Sequence, residues 1–89
     1  MPFITETNRI FYQQDGRTLA EITFPPLQEG VVNIDHTFVD ETLRGQGVAG
    51  RLMEQTVETL RATGRKAVAT CSYAKKWLAG HEEAKDVLR

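Results

Sequence analysis

Residues 39–52 read Val39-Asp40-Glu41-Thr42-Leu43-Arg44-Gly45-Gln46-Gly47-Val48-Ala49-Gly50-Arg51-Leu52. The stretch is the end of a β-patterned run, a glycine-rich turn and the opening of an amphipathic helix. Gly45 and Gly47 let the backbone approach a ligand without Cβ interference, and the free N–H groups at the start of the helix point at whatever anion lies there. A pyrophosphate suits such a seat. C-terminal to the turn, Val48, Ala49, Leu52, Met53, Thr56, Val57 and Leu60 recur at steps of three and four, which predicts a helix with one apolar face. Arg51, Glu54, Glu58 and Arg61 fall on the opposite, solvated face, and Gly64 stands where a left-handed cap is wanted.

N-terminal to the turn, Val31 to Val39 alternates as a strand. Val32, Ile34, His36 and Phe38 share one face; Val31, Asn33, Asp35, Thr37 and Val39 share the other. Before it, Arg9–Gln14 is rich in strand formers, and Asp15-Gly16 supplies a tight hairpin turn. In the return run Ala20, Ile22 and Phe24 alternate with Leu19, Glu21 and Thr23 until Pro25-Pro26, which cannot donate to a ladder, ends it. Three antiparallel strands are expected. Beyond Gly64, residues 66–70 form a short strand, residues 72–78 a helix capped by Ser72 and broken by Gly80, and Ala84, Val87 and Leu88 mark terminal turns packed on the core.

The whole chain has 89 residues, enough for one small domain whose bulky ligands must lie on an open face. No apolar run approaches the roughly 18 residues of a membrane span, and the N-terminus lacks the basic and apolar regions of a signal peptide, so a soluble, cytoplasmic protein is expected. The net charge of −1 gives no bulk drive toward nucleic acid. The single cysteine, Cys71, excludes an internal disulfide and a cysteine-rich metal site. His81, Glu82 and Glu83 have no metal-ligand spacing and read as a solvated turn, so no metal is expected.

Arg44-Gly45-Gln46-Gly47-Val48-Ala49, in its strand–turn–helix context, resembles the Arg/Gln-x-x-Gly-x-Gly/Ala signature of the GCN5-related N-acetyltransferases. More narrowly, the chain resembles a very small single-domain acetyltransferase-like subfamily. His36-Thr37-x-Val39, Leu43-Arg44-Gly45-x-Gly47-Val48-Ala49 and Cys71-Ser72-Tyr73-Ala74 carry that resemblance over nearly its whole length. It implies an α+β fold of the three-layer α/β type, with residues 1–89 as one domain: antiparallel strands, glycine turn, long helix, strand and short C-terminal helices. It also implies acetyl-CoA as acyl donor and a small amine or a peptide amine as acceptor. The pyrophosphate would lie on Arg44, Gly45, Gln46, Gly47, Val48 and Ala49, and the pantetheine arm along Phe38 and Val39. Typical members carry proline where this chain has Glu41.

Three side chains have a catalytic reading beside a plainer one. Cys71, where a strand meets a helix N-terminus that favours thiolate, is a nucleophile or a small core residue. His36 is a general base or a satisfied half-buried histidine. Tyr73 is a proton donor to the CoA thiolate or a core aromatic. Lys75 and Lys76 either neutralise the 3′-phosphate of CoA or form a solvated helix face, while Trp77 and Leu78 are expected against the sheet. The functional alternatives to an N-acetyltransferase are a non-catalytic acyl-CoA-binding module and a protein-interaction domain.

Overall fold

The computed structural model describes residues 2–89. Strands β1 (Ile4–Glu6), β2 (Arg9–Gln14), β3 (Arg17–Thr23), β4 (Pro26–Gln28), β5 (Val31–Ile34) and β6 (His36–Val39) precede helix α1 (Val48–Thr63). Strand β7 (Lys66–Ala69), helix α2 (Ser72–Ala79) and a 3-10 helix (Glu82–Val87) follow. The β2–β3 hairpin turns at Asp15 (φ 49°) and Gly16 (φ 76°), the pair of positive φ values that matches strand twist, and this sets Gln14 opposite Arg17.

The strands form two sheets. One is antiparallel in the order β1-β2-β3-β6, and the other has the order β4-β5-β7, with β5 and β7 parallel. β2, β3 and β6 are the three expected antiparallel strands. The run from Val31 to Val39 is not continuous, however, because it crosses from one sheet to the other at Asp35. Asp35 N–H bonds the carbonyl of Thr23 at 3.3 Å while its carboxylate accepts from the Thr23 hydroxyl at 2.5 Å. The crossing acts as a bulge and shifts the alternation by one residue. Val32 and Ile34 face the core, but beyond Asp35 it is Thr37 and Val39 that turn inward, and His36 and Phe38 turn out. His36 therefore does not share a face with Ile34. Pro25-Pro26 does end β3, yet Pro26 opens the edge strand β4, where a missing N–H costs nothing if it faces solvent.

Ile10, Ala20, Ile22, Val32 and Ile34 meet Val48, Leu52, Met53, Val57 and Leu60 of α1 in one buried cluster. Gly64 closes α1 with φ 67° and returns its N–H to Arg61 and Leu60 carbonyls. Ala84 and Val87 of the 3-10 helix complete the cluster, as their spacing predicts. Leu78 is buried there, and Trp77 packs half-buried against the same cluster, with its ring stacked on His81. His81 is thus not a solvated turn residue.

Candidate functional site

Two structural devices build the site: an uncapped helix end and a fork between strands. At the helix end, Gly47 occupies the N-cap of α1 with φ 72°, and Gly45 two residues earlier has φ 82°. Both conformations cost an L-residue about 1–2 kcal/mol. The first ladder bond of α1 runs from Arg51 N–H to the Gly47 carbonyl at 3.1 Å, and no side chain caps the end. The amides of Val48, Ala49 and Gly50 therefore face outward with the positive end of a 16-residue helix behind them.

The chain reaches this end through a 3-10 turn at Glu41–Leu43 that Asp40 caps. Its carboxylate accepts from Thr42 Oγ1 at 2.7 Å and Thr42 N–H at 3.1 Å. Those bonds, the hydroxyl's foremost, hold Asp40 below the usual carboxylate pKa. Asp40 thus starts the turn in a chain with Glu41 at the family's proline position.

An open groove of ≈ 230 Å³ follows, lined by Val39, Leu43, Arg44, Gly45, Gly47, Val48, Ala49, Gly50 and Tyr73. Six of the expected cofactor residues are therefore in it. Gln46 is not: its amide Nε2 folds back on the Thr42 carbonyl at 3.4 Å and braces the turn. Arg44 Nε donates to the Val39 carbonyl at 3.4 Å, fastening the turn to the end of β6. Phe38 lies on the outward face of β6, and Lys75 and Lys76 are exposed on α2 without lining the groove. Leu43 and Gly50 line it without having been singled out, although a lone glycine inside a helical pattern is a signal of close approach. A second hollow of ≈ 180 Å³ lies between α1, Trp77 and the 3-10 helix. Its walls include Glu54, Glu58 and Glu83, whose carboxylates oppose a phosphate.

The fork lies where β5 gives way to β6. The Ile34 carbonyl accepts from both Thr70 and Cys71 N–H, each at 3.1 Å, and pairing with β7 stops there. Beyond that point β6 pairs only with β3, so its other edge is open. Cys71, not Ser72, is the N-cap of α2, and its Sγ lies 3.6 Å from Thr37 Oγ1. Burial raises the thiol pKa, but the Ala74 amide, the Thr37 hydroxyl and the Tyr73 amide outweigh it and leave the thiol more acidic than usual. Tyr73 is 37% exposed and shifts the other way, with desolvation keeping its phenol protonated.

His36 projects from the face of β6 opposite Thr37. Its side chain is 54% exposed and Nε2 is 3.9 Å from Glu21 Oε1, while Glu21 also accepts from Arg9 Nε at 2.5 Å. Among the described residues no group of three His, Cys, Asp or Glu side chains gathers to hold a metal, and no helix is long and apolar enough to cross a membrane.

The sequence pattern of the GCN5-related N-acetyltransferases matches residues 9–87. The chain belongs to this family. Its fold superposes on the NMR solution structure of a GCN5-like protein from Staphylococcus aureus with a TM-score of 0.82 and 34% identity, over 99% of this chain and 87% of that one. A GNAT family acetyltransferase from Elizabethkingia anophelis, solved with acetyl-CoA bound, shares the fold at TM-score 0.62 and 16% identity. An N-acetyltransferase from Staphylococcus aureus Mu50 does so at TM-score 0.62 and 20% identity. Each of these two matches covers 81% of this chain but only 50% and 49% of the larger protein. No curated protein matches the chain. Val39, at the end of β6, and Tyr73, two residues after Cys71, both line the groove at α1.

Proposed function

We propose that residues 1–89 form one minimal acyl-CoA-dependent N-acetyltransferase domain that carries an acetyl group from acetyl-CoA to an amine. The observation that supports this most is the groove at the free amides of α1, which Val39 lines at the end of the open-edged strand β6. The pyrophosphate lies on the turn formed by Arg44, Gly45, Gly47, Val48 and Ala49, with Gln46 bracing it. The pantetheine arm adds to the free edge of β6 at Phe38 and Val39, chiefly through backbone groups. Lys75 and Lys76 stand on the adjoining helix as counter-charges for the 3′-phosphate. Acetyl-CoA places the work in the cytoplasm.

In direct transfer, the amine nitrogen attacks the thioester carbonyl and gives up a proton to His36 or water, and a free N–H of β6 steadies the oxyanion. Collapse expels the CoA thiolate, which takes its proton from water, because the Tyr73 hydroxyl stands beside Gly50 at the phosphate end of the groove. In the covalent route, the Cys71 thiolate attacks first, CoA leaves, and acetyl-Cys71 then passes its acyl group to the amine. Direct transfer is favoured over the covalent route, which would use His36 as the activating base of Cys71, since the two lie on opposite faces of β6. The same separation favours, as a second reading, a module that binds acyl-CoA without turnover.

Thermal shift with acetyl-CoA and with free CoA, on wild type and Gly47→Glu, tests the reading. Wild type is expected to gain several degrees, and the variant to fold but not respond, because a carboxylate then sits in the phosphate seat. No shift of the wild type at millimolar ligand would remove the foundation. Given binding, acetylation of any member of an amine panel separates enzyme from module.

A further inference from the structure

Gly50 occupies the first turn of α1 in ordinary helical backbone, and its position lines the anion groove. A Cβ placed there would meet Trp77 Nε1 at 3.8 Å and Tyr73 Oη at 3.9 Å, both comfortable contacts. Alanine therefore fits, and it is the better helix former. Neither backbone conformation nor packing asks for glycine. What glycine leaves is a methyl-sized gap faced by two hydrogen-bond donors, an indole N–H and a phenol O–H, over the bare backbone of the helix end.

The indole is held in that orientation. Trp77 stacks on His81 with ring centroids 3.7 Å apart and 10° between planes, and His81 Nδ1 lies 2.6 Å from the Trp77 carbonyl. The carbonyl only accepts, so Nδ1 carries the proton. The stack fixes one face of the indole and turns its N–H edge toward Gly50.

We infer that Trp77 is a positioning residue for the acyl donor: its indole N–H, with the Tyr73 hydroxyl beside it, holds a phosphate oxygen of bound acyl-CoA in the gap over Gly50. This rests on the reading of the groove as an acyl-CoA seat and adds a side-chain wall opposite its backbone amides. Donors from α2 reach across to the end of α1, so bound phosphate ties the two helices together. His81 acts through the indole it stacks on.

Trp77 is the only tryptophan of the chain, so its emission reports the gap directly. Acetyl-CoA and acetyl-pantetheine, which lacks the phosphates, are titrated into wild type, Gly50→Ala and Trp77→Phe, with affinity read by calorimetry and the indole by fluorescence. Wild type is expected to change its Trp77 emission with acetyl-CoA but not with acetyl-pantetheine. Gly50→Ala fills the gap and is expected to bind acetyl-CoA about tenfold more weakly, with unchanged affinity for acetyl-pantetheine and equal or higher thermal stability. Trp77→Phe keeps a stacking ring, removes the N–H and is expected to weaken acetyl-CoA about fivefold. If Gly50→Ala binds acetyl-CoA as tightly as wild type, the gap holds water alone and the inference is overturned while the acyl-CoA seat stands. If wild type binds no acetyl-CoA, both fall. Should Trp77→Phe fail to fold, Gly50→Ala still decides.

Discussion

Cys71 shows how three local donors outweigh burial. Its thiolate is favoured by the α2 amides of Ala74 and Tyr73 and by the hydroxyl of Thr37 across the fork. A thiol whose folded pKa is depressed binds its proton less tightly than in the unfolded chain. Its contribution to stability is thus present above the unfolded value of about 8.5 and is lost as the pH falls through the lower folded value. Alkylation by iodoacetamide is accordingly expected to reach its plateau at a lower pH in the native protein than in the urea-unfolded chain. Thr37→Val should move the native profile upward; coincident native and unfolded profiles would remove the assignment. At this scale the sequence was legible where a residue's chemistry is tied to its backbone. Gly45 and Gly47 hold the left-handed conformations their turn requires. It was not legible at His36, whose alternation with Ile34 and Phe38 looks unbroken. Only the hydrogen bonds of Asp35 to Thr23 reveal the change of phase, and those depend on a strand twelve residues away.

Among the elements, α1 was the plainest to read, because six of the seven positions on its predicted apolar face are buried and only Ala49 is half-exposed. β1 and β4 were invisible for the opposite reason: each has three residues, all exposed, and period-two burial has nothing to mark. The C-terminal 3-10 helix owes its seat to more than Ala84 and Val87. Arg61 of α1 reaches both carboxylate oxygens of Asp86, at 2.8 and 2.7 Å, and also the Glu83 carbonyl. The Arg61 hydrogen bond is the main reason that Asp86 is more acidic than a free carboxylate. A depressed carboxylate stabilises above its unfolded pKa and ceases to do so as the pH falls through the folded one. Asp86→Asn is therefore expected to melt a little below wild type at neutral pH, and the two curves should converge in strong acid. A gap that persists in acid would assign the loss to packing instead.

The molecule as a whole is small and open: its radius of gyration is 12.4 Å and its extents are 35 × 25 × 20 Å. α1, α2 and the C-terminal 3-10 helix touch one another and share one core cluster. The outer face of the four-stranded sheet carries Arg9, Phe11, Glu21, His36 and Phe38, with the Arg9 guanidinium 3.7 Å over the Phe11 ring. On the proposed reading acetyl-CoA lies in a surface groove, with its phosphates in contact with solvent. Raising ionic strength from about 0.05 to 0.5 M should then weaken acetyl-CoA by about threefold or more, whereas a phosphate sealed from solvent would respond little. Calorimetric titration at the two salt concentrations separates these cases. The overall topology was legible from the glycine turn through the family it marks. The division into two sheets was not, because it rests on where pairing ends.

That ending has a mechanical side. A wedge driven between two paired strands tends to run along the seam, since each broken rung loads the next. Here the seam ends at one carbonyl, that of Ile34, which grips two consecutive amides of the opposing strand. To run further a split must tear both at once, so this rung acts as a crack stop. A wedge set in the open fork therefore meets a doubly held rung at Ile34, and the paired run of β5 and β7 behind it stays shut.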